Sequence, residues 1–171
     1  MCTGTIDIYG KSGRALQVSP FNEVVLSADG RGAAAFDLVD CLASDAVSPA
    51  IRPSCVSLMD ANRPHWYVHH RNYFLYEAPR NSTDNLTLFQ ADASFIAHPD
   101  TFYPGRYALE SASYCKHYIS SQADGRLKIV PLDQIADLLD ATFTVFNSSM
   151  PGTYPCFVCL IAEVVYFIAV T

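Results

Sequence analysis

An internal repeat limits the folds that this chain can adopt. Residues 91–96 (Ala-Asp-Ala-Ser-Phe-Ile) resemble residues 139–144 (Leu-Asp-Ala-Thr-Phe-Thr), roughly fifty positions further along. Upstream of each, residues 56–61 and 107–112 form a second similar pair in the same order. A fainter third copy, residues 33–39, has alanine where the other copies have aspartate. The predicted repeat units span residues 1–53, 54–104 and 105–150.

Each unit contains about four segments typical of short β-strands, separated by glycine and proline. A unit of this size cannot bury its apolar face alone, so the units must share one core. A closed all-β structure with three equivalent units does this and leaves no exposed sheet edge. We therefore predict a single β-trefoil domain over residues 1–150. A β-sandwich is the alternative, but it requires no threefold repeat.

Three segments carry separate predictions. Residues 86–97 are predicted as the fourth strand of the second unit, and residues 132–139 as one or two helical turns because of their apolar spacing. The apolar segment at residues 156–171 is shorter than a membrane helix, and Glu163 interrupts it. Residues 151–171 are therefore predicted as a divergent tail or an extra strand rather than a membrane anchor.

Composition and charge narrow the functional classes. Half of the residues are hydrophobic and 16% are charged, which is typical of a globular domain. The formal net charge is −6, and an acidic chain without a basic cluster disfavours a nucleic-acid partner because it repels phosphates. The sequence contains neither a phosphate-binding glycine loop nor a Gly-x-Ser-x-Gly segment, and we predict no cofactor.

The six cysteines do not form a zinc-binding pattern, because Cys156 and Cys159 lack a second pair at suitable spacing. They fit either buried free thiols or one or two disulfides. Sequons for N-glycosylation begin at Asn81, Asn85 and Asn147, which is typical of an extracellular chain. The first residues carry neither the basic nor the apolar segment of a secretory signal.

The repeated segments resemble the arabinofuranose-binding module, the AbfB domain of carbohydrate-binding module family 42. That family repeats a tyrosine-containing segment ending in Arg-His, followed by an Asp-Ala-Thr-Phe segment. In the second unit, residues 63–73 (Arg-Pro-His-Trp-Tyr-Val-His-His-Arg-Asn-Tyr) and 88–95 match both segments in order. In the third unit, residues 140–143 keep Asp-Ala-Thr-Phe unchanged. The match covers residues 55–145, a little over half of the chain.

The resemblance implies a β-trefoil that binds arabinofuranose side branches of hemicellulose. Its partners would be an arabinose-containing polysaccharide or oligosaccharide and an α-L-arabinofuranosidase catalytic domain in a longer, extracellular parent chain. This sequence departs from the family in two units. Ser121 stands where the third unit should have histidine, and the first unit lacks both the histidine and the aspartate. Only the second unit keeps the full set.

These residue types suit sugar recognition. A carboxylate accepts hydrogen bonds from two adjacent hydroxyls, and a neutral imidazole both donates and accepts. An aromatic ring packs against the C–H face of a sugar. We therefore predict a carbohydrate site centred on the second unit, with a degraded second site in the third unit. The predicted binding residues are His70, Asp92, Tyr67, Asn72, Tyr73 and Asp140.

Structural roles would explain some of the same residues. Either aspartate could cap a turn through its own backbone, and Tyr67 could belong to the core. No metal site is predicted, because His65, His69 and His70 have no carboxylate beside them. Two alternatives to sugar binding remain: a β-trefoil scaffold that contacts another protein, and a fragment of an arabinofuranosidase.

A catalytic site is not predicted in this chain. Glycoside hydrolysis needs two carboxylates that flank one bond. Because Asp92 and Asp140 occupy different units, they are predicted to lie in separate pockets.

Overall fold

Twelve β-strands follow one another in the part of the chain that the computed structural model describes, residues 5–27, 33–45 and 47–147. The strands are β1 (Thr5–Tyr9), β2 (Leu16–Val18), β3 (Val24–Leu26), β4 (Ala35–Asp40), β5 (Cys55–Asp60), β6 (Trp66–Arg71), β7 (Phe74–Pro79), β8 (Phe95–Pro99), β9 (Tyr107–Ser111), β10 (His117–Ser121), β11 (Leu127–Pro131) and β12 (Thr144–Asn147). The helices are α1 (Leu86–Asp92) and the short 3-10 helices Lys11–Gly13, Arg52–Ser54, Leu132–Gln134 and Leu138–Ala141. The all-β class predicted from the sequence is confirmed.

Ten of these strands form one antiparallel sheet, in which the seven strands β5-β6-β7-β11-β10-β9-β8 close into a ring. The order of all ten is β12-β1-β4-β5-β6-β7-β11-β10-β9-β8, and β8 pairs in addition with β5. Strands β2 and β3 form a separate pair, which contacts β7 and β11 through single bridges. Closure satisfies the backbone groups that an open sheet edge would expose.

The core lies inside this closed sheet. Phe36, Phe95 and Phe143, the residues through which the three repeat copies align, are between 0% and 1% exposed and belong to one hydrophobic cluster. Each lies in or just before a strand whose alternate residues are apolar, so the pleat directs the ring inward. The sequence repeat therefore corresponds to three aromatic side chains that pack in one core. The division of residues 1–150 into three units stays a prediction.

The predicted strand over residues 86–97 is wrong in its first half, which forms α1. Asn85 caps this helix, because its side chain accepts a hydrogen bond from the Leu88 backbone N–H at 3.0 Å. Phe89 is the buried residue of the helix. The cap and this one apolar contact outweigh the strand preference of the surrounding residues, and the strand begins only at Phe95. The helical turns predicted over residues 132–139 are present as two short 3-10 helices.

The structure shows for three of the six cysteines whether they are free thiols or form a disulfide. Cys41 and Cys55 form a disulfide, and Cys115 is an exposed free thiol. The other three cysteines and the predicted tail at residues 151–171 lie outside the described residues. Within the described part of the chain, no helix has the length and apolar character needed to cross a membrane.

Candidate functional site

The histidine and aspartate predicted for the second unit lie together in one cleft. His70 is the penultimate residue of β6, and Asp92 is the last residue of α1. The cleft has a volume of about 260 Å³. Its walls come from β6 (His69, His70, Arg71), β7 and the turn that follows it (Ala78, Ser82, Thr83), and α1 (Leu88, Phe89, Asp92). We call it the His70–Asp92 cleft.

The hairpin of β6 and β7 fixes His70 in this position. His70 pairs with Leu75, and Arg71 pairs with Phe74 across a turn formed by Asn72 and Tyr73. Both turn residues have positive φ, 52° and 69°, as a tight two-residue hairpin turn requires. Asparagine accepts this conformation readily, which explains its place in the segment.

A hydroxyl joins the imidazole to the carboxylate. Nε2 of His70 lies 2.9 Å from Oγ of Ser113, and this hydroxyl donates to Oδ1 of Asp92 at 2.8 Å. The Ser113 hydroxyl has one hydrogen, which it donates to Asp92, so it must accept a hydrogen bond from His70. Nε2 of His70 therefore carries the proton. Ser111 adds a second hydroxyl 3.1 Å from the same Nε2 atom.

Burial sets the protonation states in the cleft. It lowers the pKa of His70 to about 4, and the nearby His117 acts in the same direction. Burial also lowers the pKa of His69 to about 4. Nε2 of His70 lies 3.3 Å from Oδ1 of Asp92, but the imidazole is neutral near pH 7, so this contact is not an ion pair. The pKa of Asp92 is raised by burial, against which the hydrogen bond from Ser113 acts.

The predicted aromatic residues separate into two environments. Tyr67 is 6% exposed and packs in a hydrophobic cluster with Phe89 and Ala93, so it lies in the core behind the cleft and not on its lining. Tyr73 is 50% exposed at the hairpin turn. Asn72 and Tyr73 line a neighbouring cleft of about 310 Å³.

Sequence reasoning missed three residues from the next unit. Ser111, Ser113 and Tyr114 come from the end of β9 and the turn after it, yet they complete the surroundings of His70. The Tyr114 ring meets the His70 ring edge to face, with centroids 5.4 Å apart. The alignment of residues 107–112 with 56–61 marked this segment as repeated, but nothing in the sequence showed which cleft it completes.

Asp140 lies in a different cleft, of about 210 Å³, which shares no lining residue with the His70–Asp92 cleft. Ser121, at the position where the family has histidine, donates to Oδ1 of Asp140 at 3.3 Å. Lys11 lies 3.3 Å from the same oxygen and 2.7 Å from Asp137. The two aspartates therefore do not flank a single bond.

The aspartates do not act as turn caps. Each side chain bonds to another residue's side chain, Asp92 to Ser113 and Asp140 to Ser121 and Lys11, and neither bonds to its own backbone within the described residues. Among residues 5–27, 33–45 and 47–147, no group of three or more histidine, cysteine, aspartate or glutamate side chains is arranged to hold a metal ion.

Comparison with solved structures identifies the fold. A GH54 α-L-arabinofuranosidase soaked with a cyclic sulfate inhibitor aligns with a TM-score of 0.65 at 17% identity, over 88% of this chain and 32% of that chain. An arabinofuranosidase complexed with arabinofuranosyl-α-1,2-xylobiose aligns with a TM-score of 0.64 at 19% identity, over 85% and 31%. The BEL β-trefoil aligns with a TM-score of 0.59 at 10% identity, over 84% and 92%.

These alignments confirm the predicted β-trefoil. They also show that the chain spans about a third of the length of the two arabinofuranosidases. Comparison with curated proteins gives no match. The sequence model of one family, described as the alpha-L-arabinofuranosidase B (ABFB) domain, matches residues 10–145. The chain therefore belongs to the alpha-L-arabinofuranosidase B domain family, as its repeated segments predicted.

Proposed function

We propose that this chain is a carbohydrate-binding module whose His70–Asp92 cleft binds a terminal arabinofuranose branch of a hemicellulose. The hydroxyl of Ser113 carries the proposal. It accepts from Nε2–H of His70 and donates to Oδ1 of Asp92, which is the pair of bonds that a sugar hydroxyl would make in the same place. Ser113 is itself exposed, so a ligand can reach this point.

The carboxylate retains capacity for a ligand. Its second oxygen, Oδ2 of Asp92, makes no hydrogen bond within the described residues, and the side chain is 16% exposed. An ionised carboxylate accepts strong hydrogen bonds from hydroxyl donors. Asp92 can therefore accept hydrogen bonds from two adjacent sugar hydroxyls. One would bind at Oδ2, and the other would replace the Ser113 hydroxyl at Oδ1.

The size and walls of the cleft suit one sugar unit. Pockets for drug-sized ligands measure about 300–1,000 Å³, and this cleft measures about 260 Å³. Leu88 and Phe89 add apolar side chains to the lining beside Asp92, and the ring of His69 packs against Phe89 with centroids 5.0 Å apart. A cleft of this size favours the end of a branch over the middle of a polysaccharide chain.

The length of the similar enzymes favours a role as an accessory module attached to a catalytic domain. Two of the similar solved structures are arabinofuranosidases about three times as long as this chain, so we propose that an α-L-arabinofuranosidase domain of a longer chain is its partner. The module would hold the catalytic domain close to its polysaccharide substrate. The module itself would not cleave the polysaccharide, because Asp92 and Asp140 lie in separate clefts.

An extracellular location is part of the proposal. The Cys41–Cys55 disulfide is typical of oxidising compartments, and the sequon at Asn81 lies in an exposed turn.

A protein-binding scaffold is the second candidate. The third-unit carboxylate of Asp140 is paired with Lys11. This chain therefore has fewer carboxylates free to bind sugar than a chain with an intact site in each repeat unit. A folded chain that binds no sugar but binds a protein partner would favour the scaffold.

Isothermal titration with methyl α-L-arabinofuranoside tests the proposal. We expect saturable binding with one site per chain, and much weaker binding of methyl β-D-xylopyranoside, whose six-membered ring presents its hydroxyls differently. Absence of binding heat for the arabinofuranoside at millimolar concentration, with folded protein, contradicts the proposal. Release of 4-nitrophenol from its arabinofuranoside by this chain alone contradicts the non-catalytic role.

A further inference from the structure

We propose that a shelf of three aromatic rings, Tyr73, Tyr114 and His117, binds the sugar next to the one held in the His70–Asp92 cleft. The ligand is then an arabinofuranosyl-substituted oligosaccharide, and the cleft and the shelf together recognise the branch and the chain that bears it. This inference rests on the proposed function, since the cleft must hold the first sugar.

The shelf is continuous with the cleft through Tyr114. The Tyr114 ring lies 5.4 Å from the His70 ring, 5.8 Å from the Tyr73 ring and 5.5 Å from the His117 ring, measured between centroids. His70 is 3% exposed whereas Tyr73 is 50% exposed, so the rings lead outward from the polar pair to the surface. A ligand that leaves the cleft on this side passes over the shelf.

The two tyrosine side chains are exposed to solvent. Tyr114 is 42% exposed and Tyr73 is 50% exposed, and neither phenol hydroxyl bonds to a described residue. Rings with an apolar face and a polar tip suit a sugar, which has a C–H face bordered by hydroxyls. Asn72 lines the same cleft as Tyr73, and Oγ of Ser113 lies 2.9 Å from Nε2 of His70, whose ring meets Tyr114; polar groups near the rings favour a sugar over a wholly apolar ligand.

The backbone holds the shelf in place before any ligand binds. The Tyr73 carbonyl accepts a hydrogen bond from the Ile129 N–H at 2.8 Å, and the Tyr114 carbonyl accepts one from the His117 N–H at 3.1 Å. The Tyr114 N–H donates to Oγ of Ser111 at 3.3 Å. Rings that are already positioned lose little entropy when a ligand stacks on them.

Beyond Tyr73, the cleft of about 310 Å³ supplies polar groups for the same ligand. Lys128 and Gln134 line it together with Asn72, Tyr73 and His117. The shelf therefore lies between two clefts, of which the first offers a carboxylate and the second offers amide and ammonium donors. This arrangement fits a chain of at least two sugar units.

Titration with two ligands tests the inference. We expect an arabinofuranosyl-substituted xylo-oligosaccharide to bind wild type about 5- to 10-fold more tightly than methyl α-L-arabinofuranoside does. Tyr73→Asn should remove this difference, because the variant loses one ring of the shelf; the affinity of the same variant for the monosaccharide is the reference for its oligosaccharide affinity. Asparagine tolerates the positive φ at this position. Tyr73→Phe keeps the ring and should keep the difference.

Tyr103→Asn is the matched control, because Tyr103 is 39% exposed and belongs to none of the clefts described above. It should bind both ligands as wild type does. If the monosaccharide fails to bind, the proposed function fails. If the monosaccharide binds and the oligosaccharide binds no more tightly, the inference alone fails, and this comparison on wild type decides the question even if Tyr73→Asn does not fold. A wild-type dimer that Tyr73→Asn dissociates would also overturn it.

Discussion

Nζ of Lys11 lies 3.3 Å from Oδ1 of Asp140, so the third-unit counterpart of Asp92 is paired with a cation at the position where Asp92 has Ser113. Lys11 follows β1 at the same distance in sequence as Ser113 follows β9. The hydrogen bonds to Asp137 and Asp140 raise the pKa of Lys11, so it stays charged at neutral pH. The two clefts therefore differ at two equivalent positions, with Lys11 in place of Ser113 and Ser121 in place of His70.

Replacing that partner should create a second binding site. In Lys11→Ser combined with Ser121→His, the Asp140 cleft gains the serine and the histidine that surround Asp92. We expect the stoichiometry of arabinofuranoside binding to rise from one to two sites per chain in isothermal titration. Lys11→Arg keeps the cation and should stay at one site. A folded double variant that stays at one site contradicts the equivalence of the two clefts.

Asp92→Asn should weaken arabinofuranoside binding at least 10-fold, because a hydrogen bond to a charged group contributes roughly 1.5–3 kcal/mol. The amide also cannot accept from two adjacent sugar hydroxyls, because its nitrogen only donates. Asp140→Asn is the matched control and should leave the dissociation constant within about twofold, since Asp140 lies in the other cleft. Equal losses in the two variants would show that the His70–Asp92 cleft is not the binding site.

The strands and the family were predictable from the sequence because their signals are local or repeated. β5 and β9 lie within one residue of the similar segments 56–61 and 107–112, and the aligned Phe95 and Phe143 lie in one core. His70 and Asp92 were predicted because residues 63–73 and 88–95 resemble the two segments that the family repeats.

The site residues that the sequence did not predict depend on contacts between repeat units. Ser113 and Tyr114 reach His70 from a segment more than forty positions further along the chain, and no local pattern predicts such a contact. Helix α1 was missed because it depends on one cap, Asn85, and one buried ring, Phe89. Lys11 was missed because its partner, Asp140, lies at the other end of the domain.

Glu77 should make the folded state less stable as the pH rises. Its side chain is fully buried, Oε1 has no partner, and burial followed by the charge of Asp60 raises its pKa from 4.5 to about 7, although Arg63 opposes this. Between these pH values the folded chain holds a proton that the unfolded chain has lost, so stability contributed by this group falls as pH rises. Relative to Glu77→Gln, wild type should lose roughly 1–3 kcal/mol between pH 5 and 8.

Urea unfolding of both proteins across this range measures the difference. The comparison with Glu77→Gln is necessary because His69 and His70 act in the opposite direction: their pKa values are about 4 in the folded chain, so their contribution is lost as the pH falls below about 6.5. That effect is common to the two proteins and cancels. Parallel stability profiles would contradict the buried, partly protonated state of Glu77.

The Cys41–Cys55 disulfide should stabilise the fold by about 3 kcal/mol, since it closes a loop with a sequence separation of 14. Cys41→Ala combined with Cys55→Ala should lower the free energy of unfolding by this amount and make it insensitive to reductant. Cys115→Ser replaces an exposed thiol and should change stability by less than about 0.5 kcal/mol. If the wild-type protein lost no stability in reductant, the result would contradict the presence of a stabilising Cys41–Cys55 disulfide.

The imidazole signals of His70, followed by NMR during titration with methyl α-L-arabinofuranoside at pH 7, test the binding of a sugar between His70 and Asp92 most directly. The sugar should replace the Ser113 hydroxyl, so the Nε2 resonance of His70 and the amide of Asp92 should shift together and saturate at the same concentration. The signals of Ser121 and Asp140 should stay in place. Shifts confined to the third-unit cleft, or no shift at a sugar concentration that saturates binding, would contradict the account.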